Sequence, residues 1–320
     1  MANGTPANTV VCERDTSLLN HFLIFESLQS RMPQTQTLVE ATRINNERLA
    51  QIRTALEVKR LVIVIGAGVT LSATATQSGE TLAQLSWLGL IRHGLNYVVT
   101  DGQIDRNHHR LSYARKILDS HPEDLLEAAR ILKLFLDQAH QWPTWLKAVF
   151  GDLSKEVRYP AVLDVLKSLH DRGAMLLTTN YDNLFEEGYC RLRRISRSHH
   201  DDLLKFQSRD LRGILHVHGS YHDPSDIILD ATDYEKVQCS EIKTVLRTLW
   251  NTHTILFVGC GSGLEDPNFG ALLEWACNED RSQYPHQFLV TREPSTILGS
   301  GRSVAMRSLT KLLFSFIFWK

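Results

Sequence analysis

A chain of 320 residues can hold one large domain or two modest ones, and its 43% hydrophobic and 22% charged content is ordinary for a globular protein. Its formal net charge of −1 gives no electrostatic reason to bind nucleic acid or an acidic membrane. The five scattered cysteines contain no CxxC pair, so they suggest neither a zinc knuckle nor a redox dithiol, and they fit a reducing, cytoplasmic setting that also allows a nuclear pool.

The N-terminus, MANGTPANTVVCERD, lacks the basic segment and apolar core of a secretory leader, and no apolar run is long enough to span a bilayer. Residues 1–45 read as an extension with one helix over Leu18–Leu28, either a contact surface for a partner or a partly disordered tail. Leu49, Ile52 and Leu56 predict a helix over 45–59. It leads into five apolar residues, Leu61–Ile65, that stop at Gly66-Ala67-Gly68. A short β-branched run bounded by glycine is the signature of a buried parallel strand. The glycines allow a tight turn whose N–H groups can approach an anion, with the positive end of any following helix behind them. Leu71 stands where the third glycine of G-x-G-x-x-G belongs, and no acidic residue lies about 20 positions beyond the glycines. A nicotinamide dehydrogenase is therefore disfavoured.

Thr70–Glu80 is small and polar, and reads as a flap over a ligand. Leu88, Ile91, Leu95 and Val98 predict a helix over Thr81–Val99. Asp101–His109 is a polar break, and His121-Pro122-Glu123-Asp124 opens a helix that Trp142-Pro143 closes. Residues 80–158 thus form a helical module inserted between the first two strands. Another helix runs from Pro160 to a glycine cap at Gly173. Strands follow at Met175–Thr179, Gly213–Val217, Thr254–Val258 and Phe288–Thr291, with a short one at Ile227–Leu229. Helices are expected through Leu184 and Phe185 and over Ile242–Leu249, while Arg191–Asp210 reads as a loop whose arginines Arg191, Arg193, Arg194 and Arg197 are solvated. Alternating strands and helices give an α/β, Rossmann-like parallel sheet with helices on both faces.

Four strands end in ligand-like residues: Gly66-Ala67-Gly68, Asn180 with Asp182, His218-Gly219, and Gly259–Gly263. In a parallel sheet these ends share one edge, where ligands bind beside the point at which strand order reverses. The series GAGVT, TTNYDNL, HVHGS and FVGCGSGLEDPNF resembles, in this order, the motifs of the sirtuin-like family, and more closely its zinc-free, NAD-consuming branch. The resemblance spans 60–290. It implies a Rossmann-like NAD-binding domain with a helical lid, chemistry that breaks the nicotinamide–ribose bond, and assembly into a homo-oligomer. Carried over by position, Gly66, Ala67, Gly68, Val69 and Thr70 match the pyrophosphate-binding turn. Thr179 and Asn180 match the segment that holds ribose and a water, and Asp182 the acid near the nicotinamide pocket. His218, followed by Gly219, matches the histidine that takes a proton from a ribose hydroxyl. Gly259, Cys260, Gly261 and Ser262 match the loop around the adenosine ribose, with Asp266 beyond it.

The chemistry suits these residue types. Nicotinamide leaves as a neutral group, so an oxocarbenium-like ribose needs stabilising more than the leaving group needs an acid. An amide and a carboxylate can hold the sugar and the attacking water, and a histidine titrating near neutral pH can act as base. The family's deacylases carry a four-cysteine zinc ribbon after the histidine; here only Cys239 lies between His218 and the next strand, so no zinc is expected. NAD hydrolysis is therefore the first expectation, an NAD-binding sensor the second, and protein deacylation or ADP-ribosyl transfer the third. Competing structural roles also exist. His216 and His218 form a His-x-His pair on one strand face, a pattern that metals use. Asp182 and Asp266 can cap the helices that follow their strands, and Cys260 can simply pack.

Overall fold

The computed structural model describes residues 34–260, apart from 103, 121–123, 188–189 and 239–240, together with a strand at 287–290. The expected helix at Leu18–Leu28, the opening His121-Pro122-Glu123, and Gly261, Ser262 and Asp266 lie outside the described residues. The first described helix is α1 (Gln34–Glu57).

Strand β1 (Leu61–Ile65) is the middle of the sheet, and all five of its residues are buried. A strand covered on both faces needs apolar side chains at every position, hence its unbroken run. It pairs in parallel with β2 (Met175–Thr178) on one side and β5 (Thr254–Val258) on the other. Strands β3 (Arg194–Ser196), β4 (Ile214–His216) and β6 (Gln287–Val290) complete a six-stranded sheet in the order β3-β4-β2-β1-β5-β6. Val62, Val64, Leu177, Leu215 and Phe257 face a core closed by α8 (His200–Gln207) and α10 (Glu241–Thr252), through Leu203, Phe206, Val245 and Trp250. Their neighbours Leu61, Ile63, Ile65 and Leu176 alternate to the opposite face and are equally buried. The chain leaves β1 towards β2 but leaves β5 towards β6, so strand order reverses beside β1.

At that reversal two glycine turns interlock, backbone on backbone. Gly66 N–H donates to Val258 O at 3.0 Å and Gly68 N–H donates to Gly259 O at 2.8 Å. A Cβ on Gly68 would lie 2.7 Å from Gly259 O, and one on Gly66 2.8 Å from the Cys260 Cα. Gly259 has φ +71, and a Cβ there would lie 2.5 Å from the Val69 nitrogen. Helix α2 (Ala67–Thr74) starts directly from this turn. The flap expected over Thr70–Glu80 is therefore half helix, because Val69, Thr70, Ala73 and Thr74 are buried. A turn closed by Gly79 N–H to Thr76 O at 2.9 Å takes up its other end.

Between β1 and β2 lie α3 (Trp87–Thr100), α4 (His109–Ser120), α5 (Leu125–Gln138) and α6 (Trp142–Phe150), the expected helical insertion. Helix α4 goes beyond expectation; Leu111, Ala114, Ile117 and Leu118 are its buried stripe. Trp142-Pro143 opens α6 instead of closing the region, since proline is tolerated in a first turn. Gly94 lets α3 lie close to α5 and α6: a Cβ there would overlap Leu132 and Trp145. The insertion grips the segments after β4 at two points. Trp142 Nε1 donates to Pro224 O at 3.0 Å, and Lys133 Nζ contacts both carboxylate oxygens of Asp233 at 2.5 and 2.6 Å.

Helix α7 (Ala161–Asp171) returns the chain to β2. The stretch expected as a loop, 191–210, holds both β3 and α8 because Ile195, Leu203 and Phe206 are buried. Arg197 is not solvated: its guanidinium bonds Asp226 O at 2.8 Å and meets the Asp226 carboxylate at 3.1 Å. Ile227–Leu229 is buried loop, and α9 (Ala231–Gln238) follows it. The segment through Leu184 and Phe185 is a turn rather than a helix.

The interlock makes a stability prediction. Gly68→Ala should lower the unfolding free energy by about 3 kcal/mol or more, because backbone atoms must move apart. Gly79→Ala should cost only about 1 kcal/mol, the left-handed backbone penalty, since nothing lies within 4 Å of the added Cβ. Chemical denaturation of the two variants measures the difference.

Candidate functional site

The end of β2 is tied to the end of β1. Thr179 N–H and the hydroxyl of Thr178 both donate to Ile65 O, at 3.1 and 3.2 Å. Thr178 Oγ1 also accepts from Asn180 N–H at 3.0 Å, which fixes where the Asn180 backbone leaves the sheet. Asn180 therefore sits beside the first turn of α2, where Thr70 projects.

Three residues predicted from two separate motifs meet there. Thr70 Oγ1 donates to Asp182 Oδ2 at 2.7 Å and accepts from Asn180 Nδ2 at 3.0 Å. Thr70 has a single hydroxyl hydrogen, and Asp182 takes it, so Asn180 must be the donor in the second bond. The amide orientation follows, and Asn180 Oδ1 has no protein partner among the described residues. Asp182 Oδ1 accepts from Leu184 N–H at 3.2 Å, so the acid holds the turn after it, although the helix it is expected to cap is not formed. Asp182 is buried, and its carboxyl is pushed above the usual carboxylate range chiefly by that burial, with the Thr70 and Leu184 hydrogen bonds working against it.

The two histidines do not act as a pair. Strand β4 ends at His216, and Val217 and His218 lie in a turn, so the expected shared face is broken. His216 Nδ1 faces the backbone oxygens of Asn180 and Gly219 at 3.2 and 3.3 Å, and its Nε2 makes a short contact with the Glu186 carboxylate. Burial lowers its proton affinity, but the Glu186 hydrogen bond and charge, aided by Asp182, outweigh it and leave the pKa raised. His218 instead lies edge-on to Tyr234 at 5.9 Å, with Nε2 3.4 Å from the tyrosine hydroxyl. Burial, with the Arg197 charge, pushes its pKa down to about 3. The expectation of a histidine titrating near neutral pH is thus corrected: His218 is a neutral imidazole. Among the described residues no group of three or more His, Cys, Asp or Glu is placed to hold a metal ion.

Gly219 has φ +83, and a Cβ would lie 2.3 Å from Asp226 O, so this glycine is required by the fold of the His218 loop itself. The first glycine turn differs from a simple anion cradle. Gly68 N–H is bonded to Gly259 O, and Val69 N–H to Gly66 O at 3.1 Å, and the Thr70 hydroxyl is engaged by Asp182 and Asn180, which leaves Ala67 N–H as the donor of this turn that can meet a ligand. Val69 is buried and packs on Gly259. The Cys260 thiol faces the core, 3.6 Å from Val64 O, and burial raises its pKa to about 12, so it is inert packing. Glu186 and Tyr234 were not anticipated. Only the His-x-His spacing drew attention to His216, and for a different chemistry.

Residues 174–312 match the family model described as SIR2-like domain. The chain is also similar to Defense-associated sirtuin 2 of Bacillus subtilis, 29% identical over 141 residues, covering 40% of this chain and 14% of that protein. The chain thus spans about one seventh of that relative's length.

His218 has a measurable thermodynamic consequence. Its pKa is 6.5 as a free side chain and about 3 when folded, so from pH 6.5 downward the unfolded chain binds a proton that the native state refuses. Stability contributed by the neutral ring should fall by roughly 1.4 kcal/mol per pH unit over that window. Thermal melts of the parent and of His218→Gln between pH 7 and pH 4 should show the shallower decline in the variant.

Proposed function

We propose that this sirtuin-like chain is an NAD glycohydrolase, cleaving NAD to nicotinamide and ADP-ribose or its cyclic form. The observation that carries the reading is the Thr70–Asn180–Asp182 network, which joins the first glycine turn to the asparagine motif across 110 residues of sequence. It lies at the carboxyl edge of the sheet next to the reversal of strand order, where α/β sheets take dinucleotides. The matched domain type and the defence-associated relative support the same chemistry in an immune or stress setting.

In this reading Ala67 N–H and the positive end of α2 meet the pyrophosphate. Asn180 Oδ1, which has no protein partner among the described residues, accepts from a ribose hydroxyl or the attacking water. Asp182 presents a carboxyl to the developing positive charge on the ribose. His218, being neutral, serves as hydrogen-bond acceptor for a ribose hydroxyl and takes its proton only as that charge develops. The helical insertion acts as lid, and no zinc takes part. The protein works as a cytoplasmic homo-oligomer. No helix among the described residues is long and apolar enough to cross a membrane.

A second reading, an NAD-binding sensor with slow turnover, is favoured by one observation: an imidazole whose pKa is about 3 is a weak base. Nicotinamide release from NAD by the purified chain separates the two, and an added acylated peptide tests the deacylase alternative, which consumes NAD only with peptide present. For the hydrolase, Asn180→Ala and Thr70→Val should each lower kcat by about 100-fold or more, the loss expected when one preorganised contact is removed. His218→Ala should do the same while the fold survives. Undiminished release by all three variants would sink the proposal.

A further inference from the structure

His216 lies between the two loops that the proposed reaction needs. Its Nδ1 reaches the Asn180 oxygen on the β2 loop and the Gly219 oxygen next to His218. Carbonyl oxygens only accept, so Nδ1 carries a hydrogen. Its Nε2 meets the Glu186 carboxylate, which as an anion also only accepts, so the second nitrogen carries one too. The ring is 1% exposed and the Glu186 side chain 10%, so water cannot replace either partner freely. A buried cation held by one carboxylate and two backbone carbonyls is a rigid three-point tie. Val217 N–H to Thr178 O and Tyr221 N–H to Tyr181 O bracket it on the same two segments.

We infer that the His216 imidazole, clamped by Glu186, is a positioning residue that sets the spacing between Asn180 and His218. This rests on the NAD-hydrolase reading for its kinetic consequence, but the clamp itself is a property of the apoprotein. The titratable groups around the ring are Glu186 and Asp182 from the β2 loop, Arg193 and Arg194 at the start of β3, His199 and Asp202 from the start of α8, and Asp223 and Asp226 from the loop after β4. Glu186 and Asp182 are the two that raise its proton affinity. Loss of the ring proton would leave Nε2 and the carboxylate as two acceptors in contact, and the tie would loosen.

Glu186→Gln tests this in the full chain. The amide oxygen still accepts from Nε2, so a purely structural hydrogen bond survives, while the charge that keeps the ring protonated is gone. With 15N-labelled histidine, the parent should show both His216 nitrogens protonated at pH 7, and the variant should lose the second proton at least about one pH unit lower. The alkaline limb of kcat for nicotinamide release should move down by the same amount, with KM unchanged within about threefold. A His216→Asn variant, which keeps one donor for the carbonyls, should lose kcat at every pH. A neutral His216 in the parent, or an unmoved titration in Glu186→Gln, overturns the clamp even if NAD is never hydrolysed. Equally, a shifted titration with an unshifted kcat limb refutes the positioning role. Absence of turnover in the parent removes the hydrolase reading alone, and the labelled spectra then decide the clamp.

Discussion

The structure depends on one backbone contact, the meeting of the Gly66–Gly68 turn with Gly259 at the ends of β1 and β5. Two parallel strands about 4.8 Å apart leave little room between the turns that follow them. Three glycines remove the side chains that would hold those turns apart, and the Gly68–Gly259 hydrogen bond closes the gap. That closure starts α2 directly from the strand and sets the rotation of its first turn. Thr70 thereby points towards the β2 loop instead of towards solvent. The glycines thus position the site mainly by permitting close approach, and only secondarily by offering N–H groups to an anion.

What the interlock places, the Thr70 hydroxyl organises. One hydrogen and two lone pairs suffice to order an amide and a carboxyl from a different strand. Burial makes the arrangement costly to leave incomplete, since a buried carboxyl without its donors would bear the full desolvation penalty. The same burial raises the Asp182 pKa and depresses that of His218, so one physical cause moves the acid and the imidazole towards their neutral forms. His216 goes the other way because a carboxylate touches it. Three titratable groups within a few residues of two strand ends are thus shifted in different senses, two by burial and one by a carboxylate partner.

Much of this was legible in the sequence. The buried strands announced themselves as apolar runs ending in glycine or asparagine, and the residues of three strand ends do gather at one edge of the sheet. Strand β3 was not legible: it is three residues long, only Ile195 points firmly inward, and arginines surround it. Helix α4 follows the polar break at 101–109 and carries no individual expectation, although its stripe of Leu111, Ala114, Ile117 and Leu118 has helical spacing. Glu186 and Tyr234 carry no local signal, because their partners are 30 and 16 residues away and chosen by the tertiary fold. The titration of His218 is not legible for the same reason, since exposure is a property of the assembled core and not of the motif.

The tie between Lys133 and Asp233 joins the helical insertion to α9, the same helix that carries Tyr234. Its side chains are only 21% and 7% exposed, and Asp233 also accepts from Leu229 N–H at 3.0 Å, so the carboxylate anchors its own loop as well as the lysine. An ion pair this sheltered is little weakened by dissolved salt. The insertion and the His218 ring thus share one support, a helix held by the lysine at Asp233 and in contact with the imidazole at Tyr234.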